Sequence, residues 1–194
     1  LGSMLAPGYL FATESGTYLD SDITVTETAE TLTVLECLHP NDRIGDDGKC
    51  SLCSTQMAVK ADDRFFSSYE SAVKYANTRS SCTITLLDDV FASADFDGDA
   101  CITGNVTLDL NGKSINCIIV GLMTFDEEYN PISLVPGTLT VKGTDGSKVQ
   151  EIDAVGGSTL TVSGGDIGTV YLFEGDTSAT VTGGTIDILE ADDE

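Results

Sequence analysis

The phrase that most limits what this chain can fold into is Leu139-Thr140-Val141-Lys142-Gly143, because it comes back. It returns as Leu160-Thr161-Val162-Ser163-Gly164-Gly165 and again as Ala179-Thr180-Val181-Thr182-Gly183-Gly184. A second strand-like stretch follows each copy, at 149–155, 167–173 and 186–189. An earlier relative, Val106-Thr107-Leu108-Asp109-Leu110-Asn111-Gly112, is itself preceded by Thr83-Ile84-Thr85-Leu86-Leu87. A two-strand unit of about 20 residues matches one coil of a β-solenoid. One coil cannot bury its row of Val, Leu and Ile alone, whereas a stacked coil covers that row and sets like residues above like. Glycine pairs supply left-handed backbone at the corners. Alternation points Val106, Leu108 and Leu110 inward and Thr107 and Asp109 outward. The expected fold is mainly all-β: a right-handed parallel β-helix with one short capping α-helix and a small Cys/His knot. A β-sandwich is the alternative, but it does not need the same Thr-Val-x-Gly phrase to return at coil length.

The rest of the chain divides around that repeat. Residues 1–36 read as strands, at 9–11, 23–26 and 31–35, and as the end of a preceding module; the opening Leu1-Gly2-Ser3-Met4 reads as a remnant of cloning. Residues 37–60 shift abruptly to Cys, His, Pro, Asp and Gly, which suits a compact zinc-knot-like loop. Residues 61–80 hold the one convincing helix, over 68–78. There Ser67 and Glu70 form a capping-box signature, and Tyr69, Ala72, Val73 and Ala76 make one apolar face. That face is expected to cover the end of the coils, which occupy 81–194 and are cut short at the C-terminus.

Charge then narrows the partners. The 194 residues carry 32 Asp and Glu against 9 Lys and Arg, a net charge of −23. So acidic a surface repels phosphate backbones and anionic headgroups, which argues against nucleic-acid and membrane-surface binding, and it attracts cations, basic proteins or calcium. No apolar run reaches the roughly 20 residues that cross a bilayer; the longest, at 117–123, is strand-sized.

Cys37-x-His39-x10-Cys50-x2-Cys53 is the sharpest chemical motif. Zinc takes four soft or borderline ligands in a tetrahedron, and a Cys-x-x-Cys turn offers two thiolates to one ion. The only histidine in the chain sits among three of its six cysteines. Four protein ligands leave no open position, so this zinc would be structural. Disulfide bonding, for example Cys37 with Cys50 or Cys53, is the alternative in an oxidising compartment. Cys82, Cys101 and Cys117 are candidates for a bridge between neighbouring coils, of undetermined pairing, or for small buried apolar side chains. Asp95, Asp97 and Asp99 suggest a calcium loop, since hard cations gather carboxylate oxygens. The twelfth position from Asp95 is Val106, however, which departs from the EF-hand pattern, and an exposed acidic turn is the plainer reading.

Several motifs together carry a family resemblance. The knot at Cys37, His39, Cys50 and Cys53 is followed by a Tyr-x-Ser helix at 69–76, then by Thr-Ile-Thr-Leu-Leu-x-Asp-Val at 83–90. Next come Val-Thr-Leu-Asp-Leu-Asn-Gly at 106–112 and the glycine-rich coils from Leu139. This order resembles the tandem pectin-lyase-like β-helix repeat modules of large surface proteins from Gram-positive gut bacteria. The resemblance implies a secreted, cell-wall-associated adhesin-like module without assigned activity, flanked by other modules of its parent chain and contacting a host glycan or protein. The extra Cys82, Cys101 and Cys117, and an insertion around 125–136, depart from that pattern. An enzyme of the β-helix type, a polysaccharide lyase or glycoside hydrolase, is the rival reading, and a cation-binding module is a third. For the enzyme reading, outward Asp109, Asp153 and Asp187 are the candidate acids, but they fall on different parts of the coil. No arginine follows Arg79 and tryptophan is missing, so a lyase would lack its guanidinium and a sugar site its usual stacking platform.

Overall fold

The computed structural model describes residues 9–12, 18–19, 33–36, 41–45, 47–92, 98–126, 131–173 and 176–191. The chain is mainly β, with 58% strand, one short helix and a parallel β-solenoid of about five turns. It divides into two compact units, Leu1–Met57 and Ala58–Glu194.

In the first unit β1 (Tyr9–Ala12), β2 (Tyr18–Leu19) and β3 (Thr33–Glu36) form an antiparallel sheet in the order β2-β1-β3. The strand expected at 23–26 lies outside the described residues. A 3-10 turn, Asn41–Arg43, leads into the Cys50–Cys53 loop.

The second unit opens with a hairpin of β4 (Val59–Ala61) and β5 (Arg64–Phe66), turned at Asp62, whose φ is 50°. Helix α1 (Tyr69–Ala76) follows, and its buried side chains are the expected Tyr69, Ala72, Val73 and Ala76. Its cap differs by one residue from the capping-box reading at Ser67. Ser68 is the N-cap, its side chain accepting from the Ser71 N–H at 3.3 Å. At the other end Asn77 ties the helix to the coils. Its Nδ2 donates to the Cys101 carbonyl (2.8 Å) and its Oδ1 accepts the Thr103 and Gly104 N–H groups (3.0 Å each).

The solenoid is built from β6 (Cys82–Leu86), β7 (Cys101–Ile102), β8 (Asn105–Asp109), β9 (Ser114–Val120), β12 (Thr138–Lys142), β13 (Lys148–Val155), β14 (Thr159–Phe173) and β15 (Ser178–Ala191). One ladder runs β6-β8-β12-β14-β15, all parallel, with Val106, Leu139, Leu160 and Ala179 in register and Leu108, Val141, Val162 and Val181 beside them. The other runs β7-β9-β13-β14-β15, stacking Ile118, Ile152, Val170 and Leu189. Val106, Leu108, Leu110, Leu139, Val141, Leu160 and Val162 are fully buried, as the alternation requires. The repeats' two strands, separate in the sequence pattern, are continuous in β14 and β15 because the ladder carries on through the corner with a shift of register. Gly165 and Gly184 provide the corner's left-handed backbone, at φ 90° and 77°. Buried Ser158 steadies the opposite edge, where its Oγ accepts the Gly137 N–H at 3.0 Å.

The insertion read at 125–136 contributes an antiparallel hairpin, β10 (Leu122–Phe125) with β11 (Pro131–Val135). The chain leaves the ladder at Gly121 and returns at Gly137. These two glycines abut so closely that a Cβ on Gly137 would lie 3.0 Å from the Gly121 nitrogen.

Candidate functional site

Pleating sends alternate residues of β9 and β13 to opposite faces. Ile118 and Ile152 enter the core, so Cys117, Ile119, Glu151 and Asp153 take the outer face. Register sets Glu151 directly opposite Cys117, and Asp153 between Ile119 and Tyr171, with Glu190 next in the row. The Cys117 Sγ and one carboxylate oxygen each from Glu151 and Asp153 lie within 4.8 Å of one another. This buried triad could hold a metal ion. Cys117 and Asp153 are each only 4% exposed, and Cys117 packs with Cys101 and Ile119 under the partly buried Leu122.

The environment makes this a strained set of charges. Burial, and then the neighbouring Glu151, push the Asp153 carboxyl up to about 6. Burial, followed by Asp153, Glu151 and Cys101, pushes the Cys117 thiol up to about 12. Glu190 above all raises the Tyr171 phenol, with burial, Glu151 and Asp153 adding to it. On α1 the Tyr69 phenol is also raised, by burial first and then by Cys117, Glu70 and Cys101.

An open groove of about 660 Å³ runs along the corner of the same ladder. Its wall includes Phe91, Asn116, Lys148, Gln150, Asp166 and Asp187. Phe91 is 88% exposed. The Asn116 amide is committed to Ala92, accepting its N–H at 2.7 Å and donating to its carbonyl at 3.0 Å. Asp166 accepts from the Thr185 hydroxyl at 3.0 Å. Lys148 and Gln150 are exposed and face the groove.

Of the motif residues, Cys37 and His39 lie outside the described residues, as do Asp95 and Asp97. Cys50 is buried and Cys53 half-buried. Just after Cys53 the Ser54 N–H donates back to the Cys50 carbonyl (2.8 Å), and the Cys50 N–H donates to the Thr55 carbonyl (3.0 Å). Ser54 is left-handed at φ 61°. Asp99, read as a calcium ligand, is exposed and pairs with Lys74 at 3.2 Å. Cys82 is a free thiol in the main core, raised to about 11 by burial and then Asp62. Cys117 is likewise a free thiol, in the separate cluster with Cys101. Asp109 accepts the Asn111 N–H at 2.9 Å on β8, apart from Asp153 in the triad and Asp187 in the groove. Spacing along the chain gave no sign of the triad or the groove. The usable signal was register: once Ile115 is set on Val149, Cys117 falls on Glu151.

Among the described residues no helix is long and apolar enough to cross a membrane. Comparison with protein-family models, curated proteins and solved structures finds no match.

Proposed function

We propose that this chain is a non-catalytic structural and adhesive module of a bacterial cell-surface protein, displayed outside the cell and joined to neighbouring modules of its parent chain. The groove along the solenoid corner carries this reading. A Phe91 ring left 88% exposed, beside the Gln150 amide, the Lys148 ammonium and the Asp166 and Asp187 carboxylates, supplies what a host glycan would use. The ring meets an apolar sugar face, and the polar groups meet hydroxyls. A net charge of −23 supports the same reading, since it disfavours nucleic acid and anionic lipid as partners.

The Cys/His knot fits a structural zinc in this module. The turn joining Cys50 to Cys53 suits two of four ligands, and Cys37 and His39 would complete the set. Bound there, zinc would supply folding energy and no open coordination position.

The test is binding of the whole chain to a panel of immobilised host glycans. Binding should weaken about tenfold or more in Phe91→Ala, as for a central aromatic contact. A panel that the wild-type chain does not bind would remove the adhesive reading. Release of sugar ends that depends on Asp166 or Asp187 would replace it with the hydrolase reading.

A further inference from the structure

Cys117, Glu151 and Asp153 bring three acids together where the fold offers them nothing to hold. No ion pair among the described residues involves any of the three, and no hydrogen-bond donor among those residues serves the Asp153 carboxylate, although that residue is only 4% exposed. A buried carboxylate without a partner is costly, and buried polar groups are otherwise almost always satisfied. A second observation comes from another element. The Tyr69 hydroxyl on α1 is buried and has no hydrogen-bond partner, and its phenol is raised by burial first and then by Cys117. The triad thus gathers a thiol and two carboxylates with no cationic side chain paired to them among the described residues.

We propose that Cys117, Glu151 and Asp153 bind a divalent cation of the zinc class on the outer face of the solenoid, in a site separate from the Cys/His knot. Zinc holds sulfur at about 2.3 Å and carboxylate oxygen at about 2.0–2.2 Å, so ligand atoms around it lie roughly 3–4 Å apart. That spacing falls within the 4.8 Å span of the triad. A thiolate selects this class over calcium and magnesium, which prefer oxygen alone. Binding forms a metal–sulfur bond and releases the Cys117 proton to solvent, along with the Asp153 proton where that carboxyl is protonated. Affinity therefore rises with pH. The other titratable groups around the site are Cys101 on β7, Tyr171 and Glu190 along the row, and Tyr69 on α1, whose phenol is raised by burial and then by Cys117. Three protein ligands leave the fourth position to water or to a donor from solution.

The experiment is a cobalt titration of the whole chain, followed by its near-ultraviolet thiolate-to-metal band, with zinc added in competition. Wild type should bind one equivalent more than Cys117→Ser, Glu151→Gln or Asp153→Asn, and a pH indicator should register the protons released. Partners that only orient a ligand are worth about 10–100-fold in affinity. Loss of a direct ligand should therefore weaken this equivalent by at least about 100-fold. Cys53→Ser should remove the knot's equivalent and leave this one in place, which separates the two sites. Glu151 is half-buried, so Glu151→Gln keeps the test valid if Cys117→Ser does not fold. Equal stoichiometry and affinity in wild type and Glu151→Gln would overturn the proposal.

Discussion

The first and last coils of the solenoid are made of the same residue types and finished in different ways. At the first, β6 is paired on its outer edge by β4 and covered by α1, so Val59, Ala61, Ile84 and Leu86 are all fully buried. At the last, β15 pairs with β14 alone among the described residues. Val181 is 50% exposed and Leu189 56%, directly above Val162 and Val170, which are fully buried. The stack thus shows that burial here is a property of the neighbouring coil and not of the residue. Each coil contributes an interface to the next, and stability should grade from the covered end to the open one.

That gradient can be broken or sharpened by measurement. Leu108→Ala, in the middle of the covered core, should cost about 2–5 kcal/mol in chemical denaturation through lost burial and an unfilled cavity. Asn77→Ala should cost about 1–3 kcal/mol, because it leaves the Thr103 and Gly104 N–H groups without their acceptor. Its effect should concentrate at the covered end, seen as faster amide exchange over 101–104. Leu189→Ala should fall within about 1 kcal/mol, since over half of that side chain already meets water. If Leu189→Ala and Leu108→Ala cost the same, the two ends are one cooperative unit and the comparison fails.

A smaller effect concerns pH. The Asp153 carboxyl is raised to about 6 from an ordinary value of 3.8. Between these values the folded chain binds the proton that the unfolded chain has already released. Its contribution is therefore favourable below about pH 4 and is lost as pH rises through 6. Other carboxylates impose their own pH dependence, so the informative quantity is wild type minus Asp153→Asn in metal-free buffer. That difference should become steadily more unfavourable to wild type from pH 4 to 6, and it should shrink when zinc is added. A flat difference would place Asp153 in water and remove the strained cluster.

The sequence carried the solenoid because its period is written out in the chain: Leu139, Leu160 and Ala179 stack as their shared phrase requires. It carried the helix face as well, but not which of two adjacent serines caps it. Ser67 and Ser68 offer the same chemistry, and only the backbone path puts the Ser68 oxygen on the Ser71 N–H. The β4–β5 hairpin has no glycine turn signal in the sequence, because its turn uses Asp62 in a left-handed conformation. The triad is hidden in the sequence for a different reason. Cys50 and Cys53 are close in the chain, so spacing alone suggests a shared ligand. Cys117, Glu151 and Asp153 become neighbours only through the parallel pairing of β9 with β13.

The meeting of Gly121 and Gly137 also determines where this architecture can change. The hairpin of β10 and β11 leaves and rejoins the ladder there, with Leu122 at its base packed on the Cys101 and Cys117 cluster, and Leu139 stacks on Val106 as the next rung. Because the excursion closes at its own base, lengthening its far end adds only a slowly growing entropy. The two glycines therefore act as a socket, at which one coil can be given a new surface while the coils above and below keep their register.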